Sequence, residues 1–305
     1  MDNFVIVNNV VIGCNAEPNI IQVEIPDGVA AISEGVFSDF KNLASVVLPE
    51  SLTEIRNGAF QDCISLIDIN LENVSYIGEK AFKSCKSLKS INLENASAVY
   101  EEAFCGCSAL VNIEFGNKIG YLCNAAFYGC TSIEEIDIPK NISYIGCECF
   151  KDCTGLTNIK LAGVMEIDNN AFEHCTGIYS ITLPDSLLHI APNAFSFCTN
   201  LETVTIQNRF IDIDETAFEY NVNLIIKAVQ YSTAYHYAVE NGLTFTPTII
   251  SADYRLVTSK DVAILSKAGI LFRMKIIDGN SAVIISFDKS AKDRIEKLIG
   301  SKDIK

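Results

Sequence analysis

Phenylalanine recurs along most of the chain at intervals of 22 or 23 residues. The nine positions are Phe37, Phe60, Phe82, Phe104, Phe127, Phe150, Phe172, Phe195 and Phe218. A self-similarity of this period is typical of proteins whose repeats stack into a solenoid. Because the interval is almost constant over nine copies, the sequence predicts nine near-uniform repeats.

Other apolar positions keep the same interval. Leu or Ile occurs six residues after each Phe, and further apolar residues occur nine and eleven residues after most of them. The resulting Ile-x-Leu alternation predicts a strand with one buried face. The three-residue spacings in Ala-Phe-xx-Cys-xx-Leu predict one turn of α-helix or 3₁₀-helix on the outer side of each coil. Each coil is therefore expected to contain a strand, a bend and a short helical turn.

Stacking explains why such a chain would coil. One repeat cannot enclose its own Phe, Leu and Ile side chains, whereas the next repeat can cover them. Each Phe would bury roughly 150–250 Å². At ~25 cal/mol per Å² this stabilises the fold by about 4–6 kcal/mol per ring, as an upper bound. The sequence thus predicts a continuous phenylalanine spine.

The repeated unit Ala-Phe-xx-Cys-xx-Leu-xx-Ile-x-Leu-Pro resembles the BspA-type (Treponema-like) leucine-rich-repeat family of bacteria and some protists. The resemblance covers about residues 3–250 and is clear at Ala194, Phe195, Cys198 and Leu201. It implies an N-terminal hairpin with Asn8-Asn9 as its turn, and a closing helix within residues 230–242. Family members are commonly surface or secreted binding proteins, so the resemblance implies binding without supplying a ligand.

These observations define the expected architecture. The fold class is an α/β solenoid, a right-handed leucine-rich-repeat coil with a parallel concave sheet, an N-terminal hairpin cap and a small C-terminal α+β module. The expected domains are a cap at residues 1–28, a solenoid of about nine repeats at residues 29–250, and the module at residues 251–305. No run of apolar residues is long enough for a transmembrane helix.

The C-terminal module departs from the repeat in pattern and charge. Residues 258–269 are expected to form a capped helix, residues 271–277 and 282–287 two strands, and the segment after Asp288 a last helix. The module carries a net charge of +4, against −19 for the rest of the chain and −15 overall. It either covers the apolar edge of the last coil or docks a partner through its positive charge.

The twelve cysteines and three histidines show no catalytic or metal-binding spacing. Seven cysteines occupy one repeat position and are expected to be reduced, buried fillers. They are Cys63, Cys85, Cys107, Cys130, Cys153, Cys175 and Cys198. His174, His189 and His236 have no partner at metal-ligand spacing, and phosphate loops and nucleophile elbows are absent. We therefore expect no enzyme activity, no cofactor and no metal site, and the negative charge disfavours nucleic acid.

The strand residues that alternate with the buried ones are expected to lie on the concave face. In the first half of the solenoid they are mainly carboxylates and amides. Like charges on adjacent strands repel each other, so folding alone does not favour this arrangement. We define the acidic band as Asp68, Asn70, Asn92, Glu94, Asn112, Glu114, Glu135 and Asp137. It is predicted to recognise a protein or glycan ligand that is basic or rich in hydroxyls. An ordinary solvated face is the alternative.

Three classes of function remain open from the sequence. The expected one is protein–protein or adhesion-type recognition through the sheet face. A passive spacer repeat with no ligand is the second, and an enzyme with a site between the last coils and the C-terminal module is the third. No signal peptide is visible, so a cytoplasmic protein and a surface or secreted protein that has lost its export signal both fit. The oligomeric state is not predicted.

Overall fold

The computed structural model describes residues 4–15 and 19–248. In the C-terminal part it describes residues 254–257, 259–268, 272–277, 282–287, 295 and 297–298. The repeats form a solenoid of about ten turns whose neighbouring coils pair in parallel. This confirms the predicted leucine-rich-repeat architecture.

One side of the solenoid is built from the predicted Ile-x-Leu strands. These are Gln22–Glu24, Ser45–Val47, Asp68–Ile69, Ser90–Leu93, Asn112–Phe115, Glu135–Ile138, Asn158–Leu161, Ser180–Leu183, Thr203–Ile206 and Ile225–Ala228. Paired strands are in register, so that Ile91 lies beside Ile113. The pairing is interrupted, however, and divides this side into sheets of three, two, two and four strands, the last of which ends with Thr244–Pro247.

A second side consists of two-residue strands, which the sequence analysis did not anticipate. They are Ala31–Ile32, Glu54–Ile55, Tyr76–Ile77, Ala98–Val99, Tyr121–Leu122, Tyr144–Ile145, Glu166–Ile167, His189–Ile190 and Asp212–Ile213. Together with the two strands of the N-terminal hairpin they form one eleven-stranded sheet. A strand of two residues is too short to show an alternating pattern, which is why only its buried apolar position was visible in the sequence.

The segment around each Phe consists of turns, in place of the helical turn that the spacing predicted. In one coil, Ala81 N–H donates to Gly78 and Cys85 N–H donates to Phe82, both three residues back. Lys80 has φ 57° and Ser84 φ 62°, which are left-handed values. A left-handed residue ends any right-handed helix, so the three-residue spacing produces successive turns. Between these turns the backbone bonds to the next coil, as Phe82 N–H does to Ala103 at 2.8 Å.

The phenylalanine spine is present. All nine rings are at most 2% exposed, and consecutive rings are parallel, with centroids 5.1–5.6 Å apart. Phe4 of the hairpin makes an edge contact with Phe37 at one end, at 6.2 Å. Tyr237 makes an equivalent contact with Phe218 at the other end, at 6.0 Å. Both caps thus continue the core.

The seven repeat-position cysteines are buried and free, as expected. Each also donates its thiol hydrogen to the Phe carbonyl of the preceding coil. Cys130 Sγ, for example, lies 3.2 Å from Phe104 O. In the ninth repeat Asn221 occupies the cysteine position, and its Nδ2 lies 2.8 Å from Phe195 O. The cysteines are therefore hydrogen-bond donors as well as apolar fillers.

The implied end elements are also present. The hairpin comprises Phe4–Val7 and Val10–Cys14, joined by Asn8 and Asn9 with positive φ. The closing helix is Thr233–Glu240, and Ser232 Oγ accepts from Tyr235 N–H as its N-cap. Among described residues, no helix has the length and apolar character needed to cross a membrane.

The C-terminal part contains the helix Ser259–Lys267 and an antiparallel sheet of Tyr254–Val257, Ala282–Phe287 and Phe272–Ile277, in that order. The helix and the last two strands match the sequence expectation, and Tyr254–Val257 is an additional strand. The last helix expected after Asp288 lies mostly outside the described residues.

Candidate functional site

The acidic band lies on the Ile-x-Leu side of the solenoid. Its side chains alternate with buried residues, as in Glu135–Ile138, where Ile136 and Ile138 are buried while Glu135 and Asp137 are exposed. Seven of its eight members are exposed, and Asn92 is half-buried. The band therefore presents its polar groups to solvent.

The divided sheet separates the band into parts. Strands Ser90–Leu93 and Asn112–Phe115 form one two-stranded sheet, in which Asn92 pairs with Glu114. Asp68 belongs to the preceding sheet and lies beside Ser45. Glu135 and Asp137 belong to the following sheet and lie beside Asn158 and Lys160. The structure thus brings Asn92, Glu94, Asn112 and Glu114 together and places the other four on adjoining sheets.

Three of the four central residues line a cleft of about 560 Å³ at the ends of their strands. Its walls are formed by two neighbouring coils. The lining residues are Asn92, Glu94, Asn95, Glu114, Phe115, Gly116, Asn117 and Lys118. Three members of the acidic band are among them, so the central part of the band and this cleft form one candidate site.

Gly116 sets the shape of this cleft. A Cβ atom built on Gly116 would lie 2.1 Å from the backbone oxygen of Glu94, and no real side chain tolerates that distance. The glycine therefore allows the end of one strand to approach the backbone of the previous coil directly. Any larger residue would push the two walls of the cleft apart.

Hydrogen bonds reduce the freedom of some band residues. Asn70 Oδ1 accepts from Glu72 N–H at 3.0 Å, and Asn92 Oδ1 accepts from Glu94 N–H at 2.9 Å. These contacts close the turns after the two strands, which is a common role of asparagine. They hold the amide groups in place and leave each Nδ2 hydrogen pair available to a ligand.

The charges of the band are mostly uncompensated. Asp137 forms an ion pair with Lys160 at 2.9 Å. Asp68, Glu94, Glu114 and Glu135 belong to none of the ion pairs found among the described residues. Lys118 lies in the cleft, where its Nζ donates to Asn95 Oδ1 at 2.6 Å. The site accordingly combines free carboxylates with amides and one lysine.

Sequence reasoning missed the part of the cleft that follows the strands. Asn95, Asn117 and Lys118 lie in turns, and Phe115 replaces the Leu or Ile found at most equivalent positions. Phe115 is partly exposed and makes an edge contact with Phe127 at 6.0 Å. The only signal in the sequence was this change of residue type in one repeat.

The described residues do not assemble an obvious catalytic site. His174 and His189 each pair with an aspartate, Asp152 at 2.9 Å and Asp212 at 3.0 Å. In the described part of the chain, these pairs form no hydrogen bond with a serine, threonine or cysteine side chain. No group of three potential metal ligands occurs among the described residues either.

The last coil and the closing helix enclose a further cleft of about 410 Å³. It contains one histidine and two acidic residues, His236, Asp212 and Glu240. None of its lining residues belongs to the C-terminal module, beside which the sequence analysis put a site for an enzyme, and it holds no nucleophile–base pair among the contacts of the described residues.

The fold and its exposed polar face define a leucine-rich-repeat solenoid of the kind that generally lacks enzyme activity. The family model of the BspA type leucine rich repeat region matches residues 13–134 and 121–235, in six copies. The chain therefore belongs to the BspA-type leucine-rich-repeat family. No curated protein sequence matches it.

Several solved structures are similar to this chain. A leucine-rich repeat protein from Bacteroides ovatus is 22% identical, with 78% of this chain and 88% of that one covered and a TM-score of 0.39. A leucine rich cell surface protein from Faecalibacterium prausnitzii is 19% identical, with coverage of 81% and 93% and a TM-score of 0.46. The pneumococcal vaccine antigen PcpA is 14% identical, with coverage of 76% and 69% and a TM-score of 0.48.

Proposed function

We propose that the protein recognises a partner protein through the acidic band, and that the cleft beside Asn92, Glu94 and Glu114 is the centre of the contact. The observation that carries this proposal is the convergence of uncompensated carboxylates and oriented amides on one cleft. Family membership agrees with a binding role without naming a partner.

Charge and shape indicate the kind of partner. Glu94 and Glu114 have no ion-pair partner among the described residues, so a Lys- or Arg-bearing segment would supply the missing charge. The Nδ2 groups of Asn92 and Asn112 can donate to backbone carbonyls of the same segment. Phe115, half-buried at the cleft wall, offers an apolar contact. A basic protein segment therefore fits better than a nucleic acid, whose phosphates the carboxylates would repel.

The test is a pull-down from host and bacterial extracts with the wild type and a Glu94→Lys/Glu114→Lys variant. We expect at least one protein to be retained by the wild type and lost from the variant and at high salt, because exposed charge contacts are screened. A Glu202→Lys variant is the matched control, since Glu202 is exposed and lies outside the band.

We expect these variants to fold, because substitutions of exposed side chains usually change stability by less than about 0.5 kcal/mol. Thermal unfolding of each variant checks this. A partner retained equally by the charge-reversed variant contradicts the proposed site. Failure of the wild type to retain any protein favours the spacer alternative.

A further inference from the structure

The sheet of two-residue strands carries four tyrosines in four consecutive coils. They are Tyr76, Tyr100, Tyr121 and Tyr144, which we call the tyrosine face. Three of them open strands whose second residue is fully buried, and Tyr100 follows the buried Val99. Because side chains alternate across a strand, all four project from the outer surface. The first strand position in other coils holds Ala31, Glu54, Glu166, His189 or Asp212.

The four tyrosines form two neighbouring pairs. The rings of Tyr76 and Tyr100 are 5.0 Å apart, at an angle of 41°. Tyr121 and Tyr144 are direct neighbours in the sheet, and Tyr121 is 46% exposed. Ile77 pairs with Val99 of the next coil. Gly78, which follows Ile77, therefore lies beside Tyr100 and has no side chain that would separate the Tyr100 ring from Tyr76. The result is two pairs of tyrosines on four consecutive coils.

Polar groups next to these rings are already paired. Arg56 donates to Glu54 at 3.2 Å, and the Tyr144 hydroxyl donates to the carboxylate of Asp168. Burial and the negative charge of Asp168 raise the pKa of Tyr144, so this hydroxyl stays protonated at neutral pH. A cleft of about 400 Å³ adjoins Tyr76. It is lined by Ser33, Glu34, Glu54, Arg56, Asn57 and Tyr76.

We propose that the tyrosine face binds a neutral polysaccharide. A sugar ring offers an apolar surface of C–H groups, which tyrosine rings can cover, and a rim of hydroxyls that need hydrogen-bond partners when desolvated. The Arg56–Glu54 pair, Ser33 and Asn57 provide both donors and acceptors at the edge of the rings. Successive coils repeat at about the spacing of neighbouring strands, roughly 4.8 Å, so an extended chain of sugars can contact several tyrosines in turn.

The hydrogen-bonded groups closest to the rings favour this ligand over a basic peptide. The carboxylates of Glu54 and Asp168 are occupied by Arg56 and Tyr144, whereas Glu166 beside Tyr144 and Glu34 in the cleft belong to no ion pair among the described residues. A cation that bound Glu54 or Asp168 would break one of these pairs and leave Arg56 or the Tyr144 hydroxyl without its partner, which is costly. A neutral ligand can bind without disturbing them. The tyrosine face is also separate from the acidic band, which lies on other sheets of the solenoid.

The test is native electrophoresis in gels that contain laminarin, glucomannan, xylan or dextran. We expect at least one of these neutral polysaccharides to retard the wild type. The Tyr76→Ala/Tyr121→Ala variant should lose affinity about tenfold or more, as the loss of aromatic contacts implies. Tyr121→Phe should retain the effect, because it keeps the ring. Tyr179→Ala is the matched control, since Tyr179 is 60% exposed and precedes an Ile-x-Leu strand.

Tyrosine emission provides a second measurement, because the chain contains no tryptophan. The retarding polysaccharide should change the emission of the wild type and of Tyr179→Ala, but not that of the double variant. Single Tyr121→Ala, at an exposed position, shows the effect even if the double variant folds poorly. The proposal is overturned if none of the four polysaccharides retards the wild type. It is also overturned if folded Tyr121→Ala binds as tightly as the wild type, or if poly-lysine binds at this face instead.

Discussion

The cysteine position offers a sharp test of what holds neighbouring coils together. Cys130 is fully buried, and its thiol donates to Phe104 O at 3.2 Å. Cys130→Ala removes a buried sulfur, leaves a small cavity and deletes the hydrogen bond. We expect a loss of about 2 kcal/mol, of which ~0.8 kcal/mol is apolar burial and ~1 kcal/mol the bond.

Cys130→Ser separates the two contributions. If the thiol acts as a donor, the serine hydroxyl can replace it, and the variant should lose only about 1 kcal/mol. If the cysteine is an apolar filler alone, the buried hydroxyl lacks a suitable partner and costs about 1–3 kcal/mol more. Serine would then be worse than alanine. The order of the two variants therefore decides between the roles.

Urea unfolding at neutral pH under reducing conditions gives the measurement. The same two substitutions at the half-buried Cys123, whose thiol makes no hydrogen bond among the described contacts, serve as the control. There we expect little difference between Ser and Ala. A Cys130→Ser variant less stable than Cys130→Ala would refute the donor role. Asn221, whose amide replaces the thiol in the ninth repeat, indicates the opposite outcome.

Two further predictions concern the core. Phe127 is stacked between Phe104 and Phe150. Phe127→Ala should lower the free energy of unfolding by about 3–5 kcal/mol and make thermal unfolding less cooperative. An unchanged thermal unfolding midpoint would contradict the phenylalanine spine. Burial raises the pKa of Cys63 and Cys153 from 9.0 to about 12, so the stability that depends on them is complete below pH 9 and is lost as the pH rises towards 12. Above pH 9, urea unfolding should show a decline of up to about 1.4 kcal/mol per pH unit for each such thiol, which Cys153→Ala should make shallower. A stability profile that stays flat from pH 8 to 11 would contradict this coupling.

The sequence predicts the core well because the repeat reveals it nine times. Any position that must be apolar in every coil, such as that of Phe127 or Leu156, is visible as a column of similar residues. The end elements were also predictable, since Asn8 and Asn9 favour positive φ. The prediction of a helical turn was wrong for a local reason. A spacing of three residues fits both a helix and successive turns, and left-handed residues such as Ser84 decide for the turns.

The candidate sites were harder to predict than the core. The acidic band followed from strand alternation, but its division into separate sheets did not, because backbone pairing between coils leaves no trace in the residue types. The cleft depends on the close approach of Gly116 to Glu94, and one glycine in one repeat is not a pattern. The tyrosine face was missed because its strands have two residues each.

The same repeat that fixes the core also explains how this chain can carry two different surfaces. Each coil must supply a buried Phe and further buried apolar residues, but the outward residues of both kinds of strand are free to vary. Neighbours on a surface come from consecutive coils, so Tyr121 and Tyr144 are adjacent in space although 22 residues separate them in the chain. A sequence motif cannot reveal such a site, whereas comparing one outward position across successive coils can. In this chain that comparison gives carboxylates on the Ile-x-Leu strands and tyrosines on the two-residue strands, which is why we assign the two sides to different ligands.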